Sequence, residues 1–168
     1  MLPFIKNKPR KTSSAFTSTT FSFLVLLVLC FFAQQGQAQL NEAITFNDIT
    51  KAKAYAEKEN VAILMVFAGS DWCRPCMQFK KSILLNDAFS AYSDTTLALL
   101  YLDFPLKKAN KLSPEQTTHN EKLAEVYNTS GAFPAILLLD RNEKVLGKLP
   151  FKNQSPAEFI AQCEALLK

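Results

Sequence analysis

The chain has 168 residues, with 19 Lys and Arg against 15 Asp and Glu, and 48% of its residues are apolar. That length suits one domain with a full core and argues against two. The basic excess lies in the N-terminal segment. Lys6, Lys8, Arg10 and Lys11 precede Gln39 and no acidic residue does, so the remainder carries 15 of each sign. A net charge of zero there excludes nucleic-acid binding as the meaning of the basic whole-chain balance.

Residues 1–38 read as a secretory signal peptide. A basic start is followed by polar Ser and Thr, then by the apolar run 21–33, and Gly36, Gln37 and Ala38 supply a small-residue cleavage site. The run is shorter than the roughly 20 residues of a spanning helix. The alternative is an uncleaved anchor formed by residues 21–33. Cys30 follows Leu29, a bulky residue at odds with lipoprotein processing, and is expected to leave with the signal. The mature domain, 39–168, is thus expected to be exported, periplasmic or extracellular, and to meet a membrane only if the anchor is retained.

In that domain, residues 44–46 suggest an edge strand and 48–59 a helix whose inner face carries Ile49, Ala52 and Ala56. Residues 61–67 are apolar throughout, as in a strand covered on both faces of a sheet. A helix is expected from about Arg74 to Leu84, broken or bent at Asn86 and Asp87, with a second buried strand at 96–104. Residues 105–113 hold Lys107, Lys108 and Lys111 and read as a solvated loop, with a basic docking surface as the functional alternative. A helix follows from Pro114 through Leu123, Ala124 and Tyr127. It carries His119, the sole histidine, read as a surface residue. Residues 135–140 and 144–149 form a strand and its hairpin partner. The last helix opens on Ser155, Pro156 and Glu158, a capping box with proline at the first helical position. Its apolar face is Phe159, Ile160, Cys163, Leu166 and Leu167, which makes Cys163 a core residue.

The chemistry concentrates in Asp71-Trp72-Cys73-Arg74-Pro75-Cys76. Two cysteines three positions apart share one helical turn and are close enough for a disulfide. A strand that delivers Cys73 to a helix start also exposes its sulfur to free backbone amides and the positive end of the dipole, both of which favour thiolate. Arg74 adds a cation, and Pro75 suits a first turn because its missing N–H has no partner to lose. The stretch reads as a reversible dithiol/disulfide centre. Two other readings remain: a metal-binding or metal-chaperone module, although two thiolates are half of a structural zinc set, and a binding protein with a static disulfide.

The order strand–CxxC–helix–strand–helix–strand–strand–helix, with Trp72 before the pair and Phe133-Pro134 before the third strand, resembles the thioredoxin family. The run from Gly69 to Cys73 and the Lys-rich segment after Pro105 are similar to exported bacterial members. The resemblance spans about 44–168. It implies an α/β fold with a central mixed sheet flanked by helices, and a thiol–disulfide oxidoreductase with no cofactor beyond the Cys73–Cys76 pair. Cys73 would be the attacking sulfur and Cys76 the resolving one. Pro134 would follow a cis peptide bond beside the disulfide, leaving Phe133 backbone groups free for an extended substrate, and Trp72 would belong to the substrate rim. Gly147 falls where the family often has a glycine near the site. Implied partners are client proteins and a dithiol electron donor, soluble or in a membrane; the lean is toward reductase. One departure stands out. The family's buried acid six residues before the first cysteine is here Phe67. Asp71 is expected beside the site, where its charge would oppose thiolate formation at Cys73.

Overall fold

The computed structural model describes residues 45–168; the expected signal peptide and its cleavage site lie outside them. Five strands form one mixed sheet in the order β1-β3-β2-β4-β5. They are β1 (Thr45–Phe46), β2 (Ala62–Ala68), β3 (Leu97–Asp103), β4 (Ala135–Leu139) and β5 (Val145–Lys148). β3 runs parallel to both β1 and β2, whereas β4 is antiparallel to β2 and β5 to β4. Central β2 is buried at every position, which is why its sequence shows no polar alternation.

Strand periodicity splits the core in two. Leu64, Val66 and Ala68 face a layer containing Cys73, Cys76, Phe79, Phe89, Phe159 and Cys163. Ile63, Met65 and Phe67 face the opposite layer, with Ala52, Ala56, Leu100 and Leu137. Helices α1 (Ile49–Glu59) and α4 (Pro114–Tyr127) supply the second layer. The first comes from α2 (Arg74–Phe79), α3 (Asp87–Thr96) and α5 (Pro156–Leu167).

The single helix expected over 74–84 differs in two ways. Its second half, Lys80–Leu84, widens into a π-helical turn. Asn86 then starts a further helix, α3, absent from the sequence reading. The Asn86 side chain accepts the Ala88 amide at 3.0 Å, and Asp87 occupies the first turn, a capped and charge-matched start. Only Phe89 and Ser93 of α3 are buried, too sparse a pattern to signal a helix by periodicity. Phe89 packs edge-on against Phe159 of α5 at 5.8 Å.

His119 is half-buried and hydrogen-bonded, where a free surface residue was expected. Its Nε2 accepts the Ile49 amide at 3.2 Å, and its Nδ1 lies 3.1 Å from Asn120 Oδ1, which selects the Nδ1–H tautomer. The ring therefore ties α4 to the first turn of α1. The Ser155 capping box forms as expected, and Cys163 is fully buried. Leu167 departs from the expected apolar face and is exposed, while Leu166 packs inward. Gly147 has a packing role: a Cβ there would meet Leu166 at 2.7 Å, so the glycine lets α5 sit close on β5.

Candidate active site

The site forms where β2 ends. A turn through Gly69, Ser70, Asp71 and Trp72 passes the chain to α2, with the Cys73 amide donating to Gly69 O at 3.0 Å. Cys73 is the N-cap, with Arg74 and Pro75 as the next two residues. Cys73 and Cys76 are joined by a disulfide with Cα atoms 5.2 Å apart. The Cys76 amide donates to Cys73 Sγ at 3.2 Å. One of the helix's unpaired amides is therefore aimed at the first sulfur, as the sequence argument requires. Cys73 is 4% exposed and Cys76 1%; Arg74 and Pro75 are exposed beside them.

Trp72 forms the rim. It is 43% exposed, its indole N–H donates to Phe104 O at 2.6 Å, and its ring meets Phe133 edge-on at 5.2 Å. The indole lies directly over Gly69: a Cβ at that position would fall 2.3 Å from Trp72 Cε2. Only glycine admits the ring there. The Phe133–Pro134 bond is cis.

The position of the missing acid is also filled. Phe67 is fully buried and begins a run of ring contacts, to Phe104 at 6.3 Å, from Phe104 to Phe133 at 5.4 Å, and on to Trp72. An apolar column thus runs from the core to the rim. It has no place for an unpaired carboxylate, whose burial would be heavily penalised.

Asp71 also has a part that its sequence position does not suggest. Oδ1 accepts the Leu106 amide at 2.9 Å, and Oδ2 accepts the Lys107 amide at 3.0 Å and Asn110 Nδ2 at 2.9 Å. These bonds, led by that from Leu106 and helped by the Lys107 charge, hold its carboxyl below the usual range. The side chain is a clamp on the Lys-rich loop, which contains a short 3-10 turn, Lys108–Asn110.

Asp103, at the end of β3, was not visible to sequence reasoning. Its carboxylate accepts the Ser70 amide at 2.8 Å and the Ser70 hydroxyl at 2.6 Å, while its carbonyl accepts Asn120 Nδ2 at 2.8 Å. The turn before Cys73 is thereby pinned to β3 and α4. These partners are 33 and 17 residues from Asp103, and no local spacing announces them. No group of three or more His, Cys, Asp or Glu that could hold a metal occurs among the described residues. His119 and Cys163 are engaged elsewhere.

A helix-capping CxxC disulfide after a central strand, with the preceding Trp72 packed on Phe133, defines a thiol–disulfide oxidoreductase of the thioredoxin class. The sequence profile of the thioredoxin-like family matches residues 44–141, and the chain belongs to that family. The disulfide bond reductase DsbH of Chlamydia pneumoniae is 26% identical over 125 residues, 74% of each chain. A solved DsbH oxidoreductase aligns with a TM-score of 0.66 at 23% identity, over 83% of this chain and 97% of that one. A thioredoxin from Thermus thermophilus gives 0.54 at 17% identity, over 73% and 85%. These two structures establish the likeness in fold.

Proposed function

We propose that this protein is an exported reductase of disulfides in client proteins, with Cys73 as nucleophile and Cys76 as resolving cysteine. The observation that carries the reading is the Cys76 amide directed at Cys73 Sγ from the start of α2. In the reduced protein the same amide and the dipole behind it favour the Cys73 thiolate. Arg74 adds to the field, and Pro75 has no amide of its own to leave unsatisfied in that turn. Cys73 holds the N-cap position, which supports its role as the attacking sulfur.

In the cycle, the Cys73 thiolate attacks one sulfur of a client disulfide. A Cys73–client bond forms, and the second client sulfur departs as thiolate and takes up a proton. Cys76, having given up its proton, attacks Cys73 Sγ. The Cys73–Cys76 bond closes and the first client sulfur is released as a thiol. Two electrons and two protons pass to the client, and an external dithiol resets the pair. Trp72 and Phe133 supply an apolar lip for the client, with backbone groups of Phe133 beside Pro134 available to an extended segment. With Phe67 in place of an acid, the proton of Cys76 passes to water or to another group. Export rests on the pattern of residues 1–38. No helix among the described residues is long and apolar enough to cross a membrane.

The test is a Cys76→Ser variant of the exported chain. Blocked resolution should accumulate Cys73-linked mixed disulfides, whose partners identify the clients. Recovery of no adduct under export conditions overturns the exchange reading. Direction is read separately by equilibration with glutathione: a potential near the −270 mV of thioredoxin supports a reductase, and one near the −120 mV of DsbA overturns it.

A further inference from the structure

Trp72, Phe104, Leu106, Leu112 and Phe133 wall a cavity of about 370 Å³, a volume at the small end of the ~300–1,000 Å³ of ligand sites. It shares Trp72 and Phe133 with the rim of the redox pair, and Trp72 directly precedes Cys73. We propose that this cavity is a specificity pocket for a bulky apolar side chain of the client, and that Lys107, Lys108 and Lys111 select client segments carrying carboxylates around that side chain. The proposal rests on the redox reading above and names its substrate class.

Three observations converge on it. The wall is built in advance: Asp71 holds the Leu106 and Lys107 amides and Asn110, Phe104 O holds the Trp72 indole, and Asn120 anchors the end of β3. A pocket already ordered loses little conformational freedom on binding. Next, Leu106 is 76% exposed on this held loop, more than any other large apolar residue among those described. The third is charge. Lys107, Lys108 and Lys111 are exposed, and none is in a salt bridge with a described residue. Facing acids are differently engaged: Asp71 and Asp103 point at N–H and O–H donors, while Glu121 on the α4 wall is the exposed carboxylate. Lys111 lines the cavity, and Lys107 and Lys108 follow Leu106 on the same loop, so the loop side carries exposed positive charge next to an apolar interior. A polypeptide with an apolar side chain between Asp or Glu residues complements both, and such pairing sets partner choice and on-rate.

The test uses the whole mature protein and three cyclic peptide disulfides. One has Leu or Phe near a cysteine between acidic residues, the second the same side chain between lysines, and the third glycine in place of the apolar residue within the acidic frame. For the wild type, kcat/KM should favour the first over the second by about tenfold at low salt, with the ratio shrinking as salt rises. It should favour the first over the third by about tenfold. In the combined Lys107→Ala, Lys108→Ala, Lys111→Ala variant, the acidic-to-basic ratio should fall to about two or less, a comparison made within one protein and so independent of its total activity. Equal rates for all three peptides, or a charge preference surviving in the triple variant, overturn the pocket. Wild-type reduction of the small neutral disulfide bis(2-hydroxyethyl) disulfide separates the two readings: turnover there with equal peptide rates rejects the pocket alone. No turnover rejects the redox reading beneath it.

Discussion

Cys73 and Cys163 border the same apolar cluster, yet the fold gives their sulfurs opposite prospects. Cys163 lies inside α5 with no solvent exposure, and burial pushes its thiol from an ordinary 9.0 up to about 12. Its own backbone amide opposes that rise only in part, because amides inside a helix are committed to intrahelical bonds. Cys73 is also nearly buried, but it begins a helix, receives the Cys76 amide on its sulfur, and has a second sulfur in bonding reach. Depth alone therefore does not decide what a cysteine does. Helix position decides it, because free N–H groups exist only in the first turn.

The strongest way to break that contrast is substitution at both places. Cys73→Ser should abolish client-disulfide reduction by at least about a thousandfold, whereas Cys163→Ala should leave it within about twofold. A reduction assay with both variants decides, and comparable losses would refute the distinction. The next test concerns what lies beneath the active end. Phe67→Asp restores an acid at the family's position but removes the foot of the aromatic column. We expect a loss of about 3–5 kcal/mol in urea unfolding, from the cavity left by the ring together with the buried carboxylate. Undiminished stability would show that the column tolerates charge.

The contrast can also be sharpened by pH. The folded-state pKa of Cys163 is raised, so the native state retains a proton that the unfolded chain releases. Its contribution is fully present below about pH 9 and is lost as pH rises toward 12. Tyr92 and Tyr101, also raised to about 12 by burial, contribute in the upper part of that window. Cys163→Ala should flatten part of the alkaline decline in unfolding free energy between pH 9 and 12, and an unchanged slope would contradict the assignment. The smallest effect is expected at Asp71. Asp71→Asn should reduce turnover less than tenfold while speeding hydrogen exchange at the Leu106 and Lys107 amides; a hundredfold loss would give Asp71 a direct part in the chemistry. Because its folded pKa is lowered, the wild-type clamp holds above the ordinary carboxylate range and is released as pH falls through its own lower value.

Much of this was legible in the linear order of residues. An unbroken apolar run announced β2, Ser155-Pro156 with Glu158 announced α5, and two cysteines one turn apart after a strand announced the redox pair. Each signal is local, since caps, periodicity and turn spacing act over three or four residues. Helix α3 went unread because two buried residues make no period. The hydrogen bonds of His119 and Asp71 went unread because their partners, Ile49 and the Leu106–Lys107 amides, are 70, 35 and 36 residues away.

The sequence by itself determined where a sulfur meets the start of a helix, because that requires only a strand, a turn and a capping position in succession. The tertiary structure alone decided what surrounds it. Phe67, Phe104, Phe133 and Trp72 become a column, and Asp71 and Asp103 become clamps, only when β2, β3 and the β4 approach lie side by side. Chain segments distant in sequence are brought into contact by burying two faces of one sheet, and no local rule encodes which side chains will then meet.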